Sequence, residues 1–372
     1  MPRDRAYLVI AQTRGESRDF LAESEEEMKE LTESAGGVVV GISYAPLPHP
    51  SPSHFIREGK LSEVRTQANQ LGGNLLIFNA DLSPGQARNI EAFTGLRVVD
   101  RTGLILDIFS RRAQSKEGRM QVELAQLNYL LPRLVGQGVI MSRLGGGIGA
   151  RGPGEQKLEV DRRKIRARIQ HIKQDMKKLE KHRELLRQAR RDRRFVQIAL
   201  VGYTNAGKST LLNALTGAGT YVENKLFATL DPKTRVLNVH GHERILFTDT
   251  VGFLKNLPHS LVEAFHATLE EVVMADFLIH VFDISHPRVE DQKAAVERVL
   301  QDIGAHEKPV ILALNKADRL NEHDRARFQN RFPEGILISA LKKEGLQGLL
   351  LKVDVFIPRS VPPQAPGSPA VA

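Results

Sequence analysis

The eight residues Gly202-Tyr203-Thr204-Asn205-Ala206-Gly207-Lys208-Ser209 constrain this chain more than any other feature. They fit the pattern G-x-x-x-x-G-K-[ST] without a mismatch. The apolar run Val196–Val201 before them reads as a strand, and Thr210–Leu215 after them reads as a helix. A strand, a glycine-rich turn and a helix N-terminus present backbone N–H groups to phosphate oxygens. Lys208 would reach the β- and γ-phosphates, and the Ser209 hydroxyl would take a place on Mg2+. The segment 195–358 alternates strands and helices around this loop, which predicts a parallel sheet covered by helices. Val196–Val201, Val236–Val239, Ile245–Thr248, Phe277–Asp283, Val310–Asn315 and Ile336–Ile338 are its six expected strands.

The loop does not choose the base. Asn315-Lys316-Ala317-Asp318, after the apolar run Val310–Leu314, does. The Asp318 carboxylate can accept from both the ring N–H and the exocyclic amine of guanine, a donor pair that adenine lacks. Asn315 and Lys316 would brace the loop and cover the base. Ser339-Ala340-Leu341 would add a backbone N–H to the guanine oxygen. Asp249-Thr250-Val251-Gly252 ends the strand Ile245–Thr248. Asp249 would hold Mg2+ through water, and the Gly252 N–H would bond the γ-phosphate and so sense its loss. Thr229 and Thr234 are the two candidates for the second protein ligand of Mg2+. Phe253 stands where many GTPases carry a water-orienting Gln, so unassisted hydrolysis should be slow.

At 372 residues the chain is long enough for two or three domains. It has no Cys, which excludes disulfides, thiolate zinc sites and a Cys nucleophile. No apolar run approaches the ~20 residues of a membrane helix. A cytosolic protein is expected, with a peripheral membrane contact left open. The net charge is +9. Between Gln156 and Arg194 stand sixteen Lys/Arg against six Asp/Glu. That segment therefore carries the whole surplus. Localised positive charge is the footprint of nucleic acid or an anionic surface, and a solvated helix face is the plainer reading.

Residues 1–112 read as an α/β domain, with strands Ala6–Ile10, Val38–Ile42 and Leu75–Asn79 and helices Phe20–Leu31, Leu61–Leu71 and Pro84–Phe93. Residues 113–194 carry two seams: Met120, Leu124, Leu127, Leu131 and Leu134, then Ile165, Ile169, Ile172, Met176 and Leu179. Steps of four and three mark helix faces, and a joining loop predicts an antiparallel hairpin. That loop, 136–154, holds eight of the 30 glycines, including Gly145-Gly146-Gly147-Ile148-Gly149, flanked by Arg143 and Arg151. It reads either as a linker or as a backbone-rich basic probe of folded RNA. Residues 359–372, rich in Pro, Ala, Gly and Ser, read as a disordered tail. His240-Gly241-His242 reads as a hairpin turn rather than a metal pair, and Gly59-Lys60 as a helix start rather than a phosphate contact.

With these residues in hand, the chain resembles the HflX family of ribosome-associated GTPases. The resemblance rests on Gly59-Lys60, Asp100-Arg101-Thr102 with Ile105–Phe109, and Val122–Leu127. It rests further on Gly145–Gly149 with Arg151-Gly152-Pro153-Gly154-Glu155, and on the phosphate loop, Phe227-Ala228-Thr229-Leu230-Asp231, Asp249–Phe253 and Asn315–Asp318. It implies an N-terminal α/β HflX domain, a helical hairpin and a Ras-like P-loop GTPase domain. It favours Thr229 over Thr234 on Mg2+, and places Phe227–Asp231 at the nucleotide. Asn205 resembles a position that holds K+ in some related GTPases. The implied partners are GTP and GDP and the large (50S) ribosomal subunit with its ribosomal RNA. The RNA-contact role falls on Arg143, Gly145, Gly146, Gly147, Gly149 and Arg151. The implied function is splitting or rescue of stalled or hibernating ribosomes under stress, with hydrolysis stimulated by the ribosome and the free protein a monomer. Some members carry a folded domain after the G domain, where this chain has about 14 tail residues after Pro358. The alternative is an ATP-dependent RNA-remodelling protein acting through the N-terminal domain, which offers no second phosphate loop.

Overall fold

The computed structural model describes residues 4–13, 18–134, 153–192, 195–217, 226–239, 242–254 and 266–357. The chain begins with β1 (Arg5–Thr13), α1 (Arg18–Ser34), β2 (Val38–Leu47), α2 (Glu58–Gln70), β3 (Leu75–Phe78), α3 (Pro84–Thr94), β4 (Arg97–Val99) and α4 (Arg101–Arg112). The four strands form one parallel sheet in the order β2-β1-β3-β4. All four residues of β3 are buried, as expected of a parallel strand with helices on both faces. The helix boundaries follow local chemistry. Ser83 caps α3 in a reciprocal box with Gln86, Pro84 opens the helix, and Gly95 closes it at φ 74°. Gly59 and Lys60 lie in the first turn of α2, where Lys60 pairs with Glu63 at 2.7 Å.

Two helices follow, α5 (Lys116–Arg133) and the 40-residue α6 (Pro153–Asp192). Glu123 accepts a bidentate pair of hydrogen bonds from Arg168 at 2.7 and 2.8 Å, and Asp175 feels the charge of Lys116. Seven residues forward on one helix are seven back on the other, so the pair is antiparallel. Ile169 and Ile172 are buried in the seam. On α5 the buried set is wider than the heptad predicts and includes Gln121, Val122 and Ala125. Val122 and Ala125 join the cluster that holds Ile105, Ile108 and Phe109 of α4, because α5 packs on the first domain as well as on α6.

The last part holds β5 (Val196–Val201), α7 (Lys208–Thr216), β6 (Lys233–Val239), β7 (His242–Asp249), α8 (His266–Met274), β8 (Phe277–Asp283), α9 (Val289–Asp302), β9 (Val310–Asn315), α10 (Glu322–Arg331), β10 (Ile336–Leu337) and α11 (Leu346–Phe356). Its sheet runs β10-β9-β8-β5-β7-β6, with only β6 antiparallel. Val239 pairs with His242 across the β6–β7 connection. One hydrophobic cluster runs from Ile10 and Phe109 through Phe227 to Val251 and Phe253, joining the first domain to this one. The Phe109 and Phe227 rings meet edge-on at 4.5 Å, an arrangement that adds about 1 kcal/mol beyond burial. Arg288 donates to Glu23 of α1 at 2.5 Å.

Candidate nucleotide site

The loop 202–207 leaves the buried end of β5 and enters α7 at Lys208. Gly207 has φ 96°, and a Cβ there would collide with the Asn315 amide; only glycine fits both demands. The Lys208 ammonium donates to Gly202 O at 3.0 Å and to Tyr203 O at 2.9 Å. Its burial pushes the ammonium down to about 8, opposed by the charge of Asp249. Phe253 is locked to this loop: Thr204 N donates to Phe253 O at 2.8 Å, and Phe253 N to Gly202 O at 3.2 Å. Its ring is buried, so this side chain offers water no hydrogen bond. Gly252 lies where a Cβ would stand 2.6 Å from Thr204 Cα, so the two phosphate elements touch through backbone.

Three oxygens converge beside Ser209. The Ser209 hydroxyl donates to Asp249 Oδ2 at 2.6 Å and lies 2.8 Å from Thr229 Oγ1. Thr229 Oγ1 donates to the same Asp249 oxygen at 3.0 Å. Asp249 is fully buried, and its Oδ1 has no hydrogen-bond partner among the described residues. Burial pushes this carboxyl up from the usual range, against the pull of Lys208. Two hydroxyls and a carboxylate with a spare oxygen suit a hard cation such as Mg2+. Thr234 faces Thr248 at 3.0 Å within the β6–β7 pair and does not reach this cluster.

At the other end, Asn315 ties the loops together. Its Nδ2 donates to Ala206 O at 2.8 Å, and its Oδ1 accepts from Ala340 N at 2.9 Å. Lys316 sits at φ 65° and donates to Asp283 Oδ2 at 2.6 Å. Asp318 Oδ1 accepts from Ser339 Oγ at 2.6 Å. That bond holds the Asp318 carboxyl below the usual carboxylate range, ionised and available as a hydrogen-bond acceptor.

A cavity of about 380 Å3 runs between these ends. Thr204, Asn205, Gly207, Lys208, Ser209, Thr210, Phe227, Ala228, Thr229, Thr250, Gly252, Asn315, Lys316, Asp318, Ala340 and Leu341 line it, all expected from sequence. Gly202, Tyr203, Ala206, Val251, Ala317 and Ser339, also expected from sequence, do not line it, and Asp249 is buried and bonded to Ser209. Two expected residues go elsewhere. Leu230 is buried in the core, and the Asp231 carboxylate turns away to bond Gln114 and Ser115. Arg319 lines the cavity without having been expected; its only signal was adjacency to Asp318. Arg143, Gly145, Gly146, Gly147, Gly149 and Arg151 lie outside the described residues. Among the described residues no group of three or more His, Asp or Glu is arranged to hold a metal, and no helix is long and apolar enough to cross a membrane.

A Ras-like sheet with a phosphate loop, a buried carboxylate beneath it and the Asn315–Asp318 segment at the far end of the same cavity has the arrangement of a P-loop GTPase. The comparisons narrow this. Residues 22–110 match the GTP-binding GTPase N-terminal family, 112–190 the GTP-binding GTPase middle region, and 197–316 the 50S ribosome-binding GTPase family. A GTPase HflX from Caldanaerobacter subterraneus subsp. tengcongensis is 50% identical over 352 residues, covering 95% of this chain and 80% of the relative. GTPase HflX of Escherichia coli K12 is 44% identical over 335 residues, covering 90% of this chain and 79% of the relative. The crystal structure of the SsGBP–GDP complex superposes with a TM-score of 0.54 at 28% identity, covering 94% of this chain and 98% of that one. The chain belongs to the GTPase HflX family and hydrolyses GTP.

Proposed function

We propose that this GTPase is a switch acting on the large ribosomal subunit: it binds in its GTP form, splits or rescues stalled or hibernating ribosomes, and leaves after ribosome-stimulated hydrolysis. The observation that carries the partner is a basic stripe on α6. Arg163, Arg166, Lys173 and Lys177 are exposed and have no ion-pair partner among the described residues. Steps of three, seven and four residues put them on one helix face, over about 21 Å at 1.5 Å per residue. Unpaired cations at this spacing suit a ribose-phosphate backbone. The match of residues 197–316 to the 50S ribosome-binding GTPase family supports the same partner. In this reading the glycine-rich loop between α5 and α6, with Arg143 and Arg151, touches ribosomal RNA.

Within the site, Lys208 binds the β- and γ-phosphates and the Gly252 N–H binds the γ-phosphate. Ser209 and Thr229 are the protein ligands for Mg2+, with Asp249 acting through water. Bound there, Mg2+ neutralises charge on the phosphate oxygens. Asp318 reads guanine. With Phe253 withdrawn, the side chain after Gly252 does not orient the attacking water; Asn205 would be the residue to hold K+, which would supply positive charge at the phosphates, and the ribosome is the other source of that help. Co-sedimentation with purified large subunits tests the reading. Binding with a non-hydrolysable GTP analogue, release with GDP and a large rise in turnover are expected; equal binding in both nucleotide states without stimulation overturns it.

A further inference from the structure

Asp231 lies two residues after Thr229, yet its carboxylate leaves the nucleotide and grips the start of α5. Its Oδ2 accepts from the backbone N–H groups of Gln114 and Ser115, both at 2.8 Å, and its Oδ1 accepts from Ser115 Oγ at 2.5 Å. Ser115 in turn caps α5 by accepting from Gly118 N at 2.8 Å. Gly118 makes the approach possible, because a Cβ there would collide with Asp231 Oδ1. On the other side of Thr229, the Phe227 ring is anchored on Phe109 of α4 at 4.5 Å. Thr229 is therefore bracketed by two anchors, both on elements outside the GTPase sheet.

The far end of α5 is equally fixed. Arg133 donates to the buried Asp100 at 2.6 Å and stacks 3.5 Å over the Tyr129 ring, and the Tyr129 hydroxyl donates to the other Asp100 oxygen at 2.8 Å. Eighteen residues make α5 a rod about 27 Å long. The segment that opens the glycine-rich loop follows directly from it.

We propose that Asp231 is a positioning residue: its clamp on the N-terminus of α5 holds Thr229 at the Mg2+ site and ties the triphosphate state to the hairpin. This rests on the reading of Thr229 as a ligand in the GTP state. When the γ-phosphate is lost, Thr229 loses its hold, the segment 227–231 relaxes, and the Gln114 and Ser115 N–H groups lose their acceptor.

Hydrogen exchange on the full chain tests this, with Mg2+ and either a non-hydrolysable GTP analogue or GDP. Amides 114–118 should exchange about tenfold more slowly with the analogue, and D231A should erase the difference. G118A should erase it too, by pushing Asp231 off from the α5 side with every residue of the GTPase domain left unchanged, while D231N restores part. The Mg2+ concentration for half-maximal analogue binding should rise about tenfold in D231A and in G118A, with GDP affinity unchanged. The double variant D231A/T229A should be no worse than T229A. Equal exchange in the two nucleotide states, equal loss for GDP, or additive double-variant effects would overturn the proposal. None of these readouts uses ribosomes, so failed large-subunit binding would sink the function above and leave this coupling standing.

Discussion

Ser209 Oγ and Thr229 Oγ1 lie 2.8 Å apart across twenty residues of sequence, and both hydroxyls donate to the same oxygen of Asp249. The second Asp249 oxygen is buried without a partner among the described residues. A buried carboxylate oxygen left unsatisfied costs free energy, so the cluster is set to gain from a cation.

That arrangement separates the two threonines. Thr229→Ala should raise the Mg2+ needed to retain a GTP analogue by about tenfold. Thr234→Ala, which loses only a hydroxyl pair with Thr248 in the sheet, should leave the Mg2+ requirement unchanged and cost about 1 kcal/mol of stability. Mg2+ titrations of analogue binding decide it; equal shifts in the two variants would refute the assignment.

Lys208 gives a pH dependence. Burial holds its ammonium at about 8 in the free protein, and bound phosphate favours the charged form. Above pH 8 the free side chain is increasingly neutral and must take up a proton to bind. Nucleotide affinity should therefore fall by up to tenfold per pH unit above 8, with proton uptake. Calorimetry in buffers of different ionisation enthalpy measures the uptake. Lys208→Ala should bind at least a hundredfold more weakly at pH 7 and lose this pH dependence.

The guanine end can be inverted. Asp318→Asn replaces an acceptor pair with a group that also donates. GTP affinity should drop at least a hundredfold, because a buried polar mismatch discriminates strongly. Xanthosine triphosphate, which carries an oxygen in place of the amine, should bind instead. Competition between the two nucleotides for a fluorescent analogue reads this directly, and retained GTP preference would remove Asp318 from the base site.

His280, in the middle of β8, has no role at the nucleotide. It is buried against Phe282 at 4.0 Å, and its Nε2 has no partner among the described residues. Burial lowers its pKa to about 3, assisted by the charges of Lys293 and Lys208. Between pH 6.5 and 3 the unfolded chain binds a proton at this position and the folded chain does not. Stability is thus lost as pH falls through that window. His280→Phe cannot titrate and should lose about 2 kcal/mol less than the parent between pH 7 and 5. Urea unfolding at both pH values checks it; parallel losses would contradict the assignment.

The strands around the nucleotide were legible because each is a short apolar run flanked by turn residues. Val196–Val201, Phe277–Asp283 and Val310–Asn315 have the same limits in sequence and structure. The three-residue β4 was too short to carry a pattern, and its Val98 and Val99 pair with β3 at the edge of the described sheet. The seam of α5 showed one contact face, whereas Val122, Ala125 and Tyr129 serve a second, toward α4 and Asp100.

The amino-acid sequence by itself determined the phosphate loop, the place of Asp318 in the segment Asn315–Asp318 and the family, since these depend on backbone freedom and side-chain chemistry within a few consecutive residues. The tertiary structure decided which hydroxyl meets Ser209, where Phe253 is buried and where Asp231 points. Asp231 and Ser115 are 116 residues apart, and no local periodicity links them. Their contact exists because the core around Phe109 and Phe227 brings the first domain against the GTPase sheet, and Gly118 leaves room for a carboxylate between them.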